Sequence, residues 1–379
     1  MSEWRSFHLY YRDVDRLILE CVHPVLVRSG ERVERGFWER HYAGGPHLRV
    51  ALRGAAPDLD TACSDLVDSA RRFFAEHPSS DLDSYSETRA AELLRKEGRQ
   101  PDEEDLRYRN NTLLERPYAP PRHVYVSDEA AAVAEEFRHA MMPLAVELVG
   151  GARPRREQML RIFFLHALLF GDGDPARGAV SFKSHWEGFA ATARYPEIVE
   201  RIVDSYRSNR AGILQLMEEV RESFERGELE RDPVLGAWRD LVTRFRTRAR
   251  QVLQQGAQLT PQPSTPAEAA RLREEVLGNV RRESDFVRTL WADERFIASI
   301  QHEPAFLVPR VLTNLLYLVV AAAGLSPLDK MALCHHSFRA VEEHYGCNLN
   351  QILEQNIAAV VRSHSHRWGS SEAMAPRLG

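Results

Sequence analysis

The chain has 379 residues, 44% of them hydrophobic and 28% charged, with a net charge of −5. That balance supports a sizeable buried core in two or three soluble domains, and it excludes a chain-wide phosphate-binding surface, which needs a clear excess of Lys and Arg. Four cysteines (Cys21, Cys63, Cys334 and Cys347) show no CxxC spacing, so neither a zinc ribbon nor a disulfide framework is indicated.

The first third reads as α/β. "WRSFHLYY" alternates and is rich in aromatics, so it is a strand. Asp13 then caps a helix whose apolar positions Val14, Leu17, Ile18, Cys21 and Val25 follow a 3.6-residue period. "VERGFWERHY" and "HLRVALRG" are two strands joined by an "AGGP" turn. A second amphipathic helix, from Asp58 to His77, buries Leu59, Leu66, Phe73 and Phe74. This order predicts a ferredoxin-like α+β sandwich layer. Residues 78–112 are polar and charged and form an exposed excursion, and "TLLERPYAPPRHVYV" is extended and Pro-rich, an edge strand with a bend.

From Ser127, which starts a helix with Asp128 and Glu129, the chain is mainly α-helical. Further helices are expected near 155–171, 181–192, 196–227, 232–256, 266–292, 304–324 and 327–346. "QLTPQPSTPAEAA" is a linker ending in a helix cap at Ser264 or Thr265. The run "FLVPRVLTNLLYLVVAAAGL" is broken by Pro309, Arg310, Thr313 and Asn314, so it reads as a buried helix and not a membrane span. The expected organisation is 1–126 for the α+β layer, 127–362 for the helical portion and 363–379 for a flexible tail. No signal peptide is expected from "MSEWRSFHLYY", and a reducing cytoplasm is the expected location.

Walker A, GxGxxG, GxSxG and HExxH signatures are absent. "GDGDP" at 171–175 lacks the terminal Glu of a calcium loop and reads as a helix end and turn. Cys334, His335 and His336 fall on a helix, where adjacent residues diverge by about 100°, so they do not share one ion. No metal and no cofactor is expected. What remains is a scatter of polar residues that local structure does not ask for. The hairpin carries His41, His47 and Arg49. The extended segment carries Glu115, Arg116 and Tyr118. "SFKSHWEGF" carries Ser181, Lys183, Ser184 and His185, and the late helices carry Asn314, Tyr317, His335, Ser337 and Arg339. Each one alone is more often a satisfied structural group; together they suggest a site built from general acids, bases and hydrogen-bond donors.

The segments "WRSFHLYYRDVDRLILECVHPVL", "RGFWERHYAGGPHLRVALRG", "SFKSHWEGF" and "NLLYLVVAAAGLSPLDKMALCHHSFRAVEEHYG" resemble the elimination domain of lantibiotic dehydratases, and more closely its stand-alone relatives, the thiopeptide pyridine synthases. They span the chain from its start to about residue 346. The dehydratases usually carry an "RY-D-PHLR" hairpin; "RHYAGGPHLR" has an added histidine, His41, and no Asp. "ERPYAPPRHVY" departs from the dehydratase "PYEPE–RYGG" pattern, which counts against simple glutamate elimination.

The resemblance implies a chemistry. Two dehydroalanines of a modified precursor peptide, still joined to its leader, combine in a formal [4+2] aza-cycloaddition. Water and the leader are then lost, leaving a pyridine macrocycle. It implies His185, Tyr317, His335 and Ser184 as catalytic residues, with Lys183 replacing the Arg of an "SxRSH" motif. It implies His47, Arg49, His41, Tyr118, Arg339 and Lys183 as substrate-binding residues, with His47 and Arg49 holding a substrate carbonyl. The implied partner is the modified precursor peptide with its leader, with no nucleic acid and no membrane; a monomer and a homodimer are both open. Two other readings remain: a split dehydratase subunit that eliminates glutamate from glutamylated Ser or Thr, and a non-catalytic escort that binds the leader.

Overall fold

The structure, a computed structural model, describes residues 2–42, 44–80, 88, 108–120, 124–171, 173–260, 266–292, 296–297 and 303–371. The chain forms two compact units. The first holds Met1–Arg155, Gln254–Leu259 and Leu315–Ser326; the second holds Arg156–Leu253, Thr260–Asn314 and Pro327–Gly379.

The first unit is built on a four-stranded sheet: β1 (Glu3–Tyr10), β2 (Arg35–His41), β3 (His47–Gly54) and β4 (Thr112–Arg116). The strand order is β2-β3-β1-β4 and every neighbouring pair is antiparallel. Between β1 and β2 lies α1 (Val14–Leu17), which runs through a π-helical turn at Ile18–Val22 into α2 (His23–Ser29); between β3 and β4 lies α3 (Ala56–Glu76). This is the split βαβ arrangement of a ferredoxin-like layer, as the sequence predicts. Asp13 caps α1 by accepting from the Arg16 N–H.

Alternation gives the sheet two different faces. Phe7, Leu9, Trp38, Leu48, Val50 and Leu52 are all buried, and α3 packs on β3 with Leu59, Ala62, Leu66 and Phe73. Each fully buried large apolar side chain contributes about 1.5–3 kcal/mol, so this face supplies much of the unit's stability. The register places Tyr10 and His41 directly beside His47, and His8 and Glu39 beside Arg49. Those residues share the opposite face. Arg40 points the other way: it donates to the Ala322 carbonyl at 2.9 Å and pairs with Asp15, which Arg155 also grips. Arg40, next to His41 in the hairpin, is therefore a structural tie. The unit continues through α4 (Asp128–Ala140), capped by Ser127, and α5 (Met142–Gly150).

The second unit is helical: α6 (Arg155–Phe170), α7 (Pro175–Thr192), α8 (Pro196–Glu225), α9 (Pro233–Gln254), α10 (Pro266–Gly278), α11 (Asp285–Ala292), α12 (Pro304–Ala322), α13 (Pro327–Tyr345) and α14 (Leu349–Ser371). Arg155, Gln254 and the residues of α12 from Leu315 onward count with the first unit. Within the second unit α13 packs on α7 and α8, and α14 packs on α7 and α11.

Three boundaries differ from the sequence reading. The helix expected at 181–192 starts at Pro175, because Asp174 accepts from the Ala176 N–H and caps it with a proline in the first turn. "GDGDP" is thus both a helix end and a helix start. The helix expected over 266–292 is two helices, with Ser284 capping the second by accepting from the Val287 N–H. A further helix, α14, follows where none was expected and runs to Ser371. The expected cap at Ser264 or Thr265 and residues 372–379 lie outside the described residues, as does most of the 78–112 excursion. Its two ends are joined: Asn111 donates to the Ser79 carbonyl at 2.8 Å and accepts from the Ser79 N–H at 3.0 Å. α12 is the one helix among the described residues long and apolar enough to cross a membrane, and 56% of its most apolar window is buried.

Candidate functional site

The polar sheet face of the first unit gathers imidazole and phenol rings at the end of the hairpin. His47 is 1% exposed. Its ring lies 5.1 Å from that of His8, 5.0 Å from that of His41 and 4.4 Å from that of Tyr10, and Tyr10 packs on Tyr108 at 4.7 Å. His47 Nδ1 lies 2.8 Å from the Gly45 carbonyl oxygen, and its Nε2 is buried with no hydrogen-bond partner among the described residues. Burial, then the neighbouring His41, His8 and Arg49, hold its pKa well below the usual imidazole range. Gly44 and Gly45 have φ of 79° and 119°, the left-handed region that admits glycine.

Further along the same face Tyr118 stacks on Trp4 at 4.5 Å and donates to Glu135 at 2.8 Å. Glu135 also faces Arg35 at 3.8 Å, and Arg138 pairs with Glu39 while donating to Tyr125 at 2.8 Å. The face therefore passes from an imidazole cluster, through Arg49, to a band of half-buried ion pairs with α4. His8 and Tyr10 were not singled out in the sequence; the two-residue alternation of "FHLYY" was the signal that could have found them.

The second unit holds most of the other predicted polar residues. Lys183, 7% exposed, donates to Glu342 Oε1 at 2.7 Å, and its ammonium sits over the Phe286 and Phe338 rings. Arg339 donates to Glu342 Oε2 at 2.7 Å, and the Leu349 N–H reaches Oε1 at 3.3 Å. Lys183 and Arg339 are thus both held on one buried carboxylate. His185 Nδ1–H donates to the Ser181 carbonyl at 2.9 Å, and burial lowers its pKa, against that hydrogen bond and with help from Lys330 and Arg310. Ser184 is half-buried one position before it.

His335 on α13 is 4% exposed and packs against Trp186 at 4.5 Å, Phe338 at 5.4 Å and Tyr206 at 5.7 Å. Its Nδ1 is buried without a hydrogen-bond partner among the described residues. Ser337, two positions on along the helix, is fully buried. Tyr317 is half-buried on α12, in the segment that counts with the first unit. So His41, His47 and Arg49 come together on one sheet face with Tyr118 further along it. His185, Ser184, Lys183, His335 and Arg339 lie on the packed pair α7 and α13, where Lys183 and Arg339 meet on Glu342.

Among the described residues no group of three His, Cys, Asp or Glu side chains is arranged to hold a metal ion. The His8 ring stacks on that of His47, and the His41 ring lies tilted to it at 58°. Cys21, Cys63 and Cys334 are buried free thiols. The Arg-rich stretch 239–250 lies on α9, whose apolar side (Trp238, Leu241, Val242, Phe245, Ala249) is buried, while Arg239 pairs with Glu230 and Asp240.

His166 is a second histidine that sequence reading passed over, hidden inside "FFLHALLF". It is 1% exposed and lies 3.2 Å from the Thr313 hydroxyl. Burial, with Arg246, pushes its pKa down to about 3, and burial, with His336, Arg339 and Arg207, does the same to His335, also to about 3. Both stay neutral in the folded chain while the unfolded chain takes up protons from about pH 6.5 downward. The unfolded state then binds more protons, so stability is full above about pH 6.5 and is lost as pH falls toward about 3. The expected slope is up to about 1.4 kcal/mol per pH unit per histidine. Urea unfolding of the wild type and of His166→Phe between pH 7 and 4 measures it. A variant slope equal to the wild type's would remove His166 from the account.

No curated protein matches the chain. Among solved structures it is similar to the pyridine synthase TbtD from thiomuracin biosynthesis, with a TM-score of 0.68 and 21% identity over 91% of this chain and 99% of that one. It is similar to TsrL with a TM-score of 0.67 and 20% identity, over 93% of this chain and 98% of that one. At these identities the likeness is one of fold. Residues 4–341 match the family described as lantibiotic biosynthesis dehydratase C-term, which takes in the hairpin, α7 and most of α13; the chain is a member of that family.

Proposed function

We propose that this chain is a thiopeptide pyridine synthase. On this reading it joins two dehydroalanines of a modified ribosomal peptide by a formal [4+2] aza-cycloaddition, then expels water and the leader peptide to close a pyridine macrocycle. The observation that carries the reading is the likeness in fold to the pyridine synthase TbtD across nearly the whole of both chains, within the dehydratase C-terminal family. The hairpin supports it: an added histidine, His41, packs on His47 where the dehydratase pattern has none.

The chemistry suits the side chains. A backbone amide must pass to its iminol form, with a proton removed at nitrogen and one supplied at oxygen. An amide N–H is too weak an acid for imidazole to deprotonate outright, so donor and acceptor must act together. Tyr317, His185, His335 and Ser184 are the proposed acid–base residues. Burial keeps both histidines neutral, so each acts as a hydrogen-bonding imidazole and not as a standing cation. Arg49, His47, His41 and Tyr118 are proposed to bind the peptide. Lys183 acts indirectly, by tying α7 to α13 through Glu342, and Arg339 holds the same carboxylate from within α13. The cycloaddition and both eliminations leave the overall oxidation state unchanged, so the reaction calls for no redox cofactor. The substrate is a peptide with its leader, and the proposed location is the cytoplasm, which suits the free thiols.

Mass spectrometry tests the reading directly. A peptide carrying its leader and two dehydroalanines is expected to yield a pyridine product together with the released leader amide. If that peptide stays intact while glutamylated Ser is eliminated, the split dehydratase reading replaces this one. If the leader binds without any turnover, the escort reading does.

A further inference from the structure

We propose that His47 serves the site as a hydrogen-bond acceptor, its Nε2 lone pair receiving an N–H of the bound peptide. The Gly44–Gly45 turn sets that polarity. The assignment rests on the reading of a peptide substrate and names which group of the peptide His47 meets.

A neutral imidazole carries one proton, on either nitrogen, and the partner of one nitrogen decides the state of the other. His47 Nδ1 lies 2.8 Å from the Gly45 carbonyl oxygen. A carbonyl only accepts, so Nδ1 carries the proton and Nε2 is bare. Placing a second proton on Nε2 would put a buried cation beside His8, His41 and Arg49, and Nε2 has no acceptor among the described residues. A carbonyl of the peptide would need an N–H at Nε2, which the Gly45 carbonyl removes. What Nε2 can take is a donor.

The turn is built to hold that state. Gly45 at φ 119° turns its carbonyl back onto the ring two residues on, and a side chain there would be strained whatever the space around it. Its own N–H is fixed on the Tyr42 carbonyl at 3.2 Å, and the Gly44 carbonyl takes the Tyr108 N–H at 2.8 Å. His8 and Tyr10 on one side and His41 on the other keep the ring from turning over. A buried polar atom left without a partner is unfavourable unless something satisfies it, so the empty acceptor marks a place for a ligand donor. A peptide offers backbone N–H groups, and an acceptor here fixes the position of one of them.

Ring nitrogen chemical shifts of His47, measured by NMR on the whole protein with and without a synthetic leader peptide bearing two dehydroalanines, test the assignment. The expected result is a proton on Nδ1, a bare Nε2, and a shift at Nε2 when the peptide binds. His47→Phe, which keeps a ring and removes the lone pair, is expected to weaken peptide binding or turnover by about 10–100-fold. His47→Gln, whose side-chain oxygen can accept in the same region, is expected to recover part of it. A proton on Nε2, or Gln no better than Phe with both variants folded by circular dichroism, overturns the assignment. Binding with a shift at Nε2 but no pyridine product sinks the pyridine synthase reading and leaves this one standing. Full product formation with no shift at Nε2 does the reverse, and neither binding nor product overturns both.

Discussion

Tyr317→Phe and His185→Ala are each expected to slow pyridine formation by about 10²–10⁴-fold while peptide affinity stays within a few-fold, since a lost general acid or base removes about that much. In free energy this is about 3–5 kcal/mol of transition-state stabilisation. The hydroxyl of Tyr317 is the group in question; its ring is half-buried, so Phe keeps the packing. His185 is held by its Nδ1–H on the Ser181 carbonyl at 2.9 Å, one turn back on the same helix, which fixes the ring at a defined angle. That anchoring is the preorganisation a proton-handling group needs. Single-turnover kinetics on the dehydrated peptide, with affinity measured separately, distinguish this outcome from loss of binding. Rates unchanged in both variants would take both residues out of the mechanism.

The largest expected effect on stability is at Glu342. Lys183 and Glu342 are 7% and 9% exposed and 2.7 Å apart, and Arg339 and the Leu349 N–H share the same carboxylate. Removing one member of a buried pair leaves the other as an uncompensated charge and costs about 3–5 kcal/mol, whereas an exposed pair is worth about 0–1. Glu342→Ala is therefore expected to lower the melting temperature by about 10 °C or more. Replacing both partners, Lys183→Met with Glu342→Leu, removes the charges together and is expected to restore much of the loss. Thermal unfolding of the three proteins decides it. A melting temperature for Glu342→Ala within a degree or two of wild type would show that the ammonium finds another partner.

The ferredoxin-like layer was legible because each element carries its own local signal. Alternation marks β1 and β3, Asp13 marks the first helix, and Gly44, Gly45 and Pro46 mark the turn. The start of α7 was missed although its signal was present, since the Asp174–Pro175 pair caps a helix as readily as it ends a turn. The Lys183–Glu342 pair joins residues 159 apart in sequence, and no local pattern reports such a partner. His166 was hidden for a related reason. A polar residue inside an apolar run shows that something must satisfy it, without showing what, and the answer is Thr313 from a helix 147 residues later. The hairpin histidines were visible from the start, but the polarity of His47 was not, because it depends on the direction of one glycine carbonyl.

The two-faced sheet links folding accuracy to chemistry. β3 alternates Leu48, Val50 and Leu52 on one side with His47, Arg49 and Arg53 on the other. A pairing error of one residue between β3 and β1 would turn the whole strand over. It would drive an imidazole and two guanidinium groups into the layer against α3 and turn three leucine and valine side chains away from it. Such a chain would lose its core and its site in the same event. A stably folded molecule has therefore already been proofread for the orientation of His47 and Arg49.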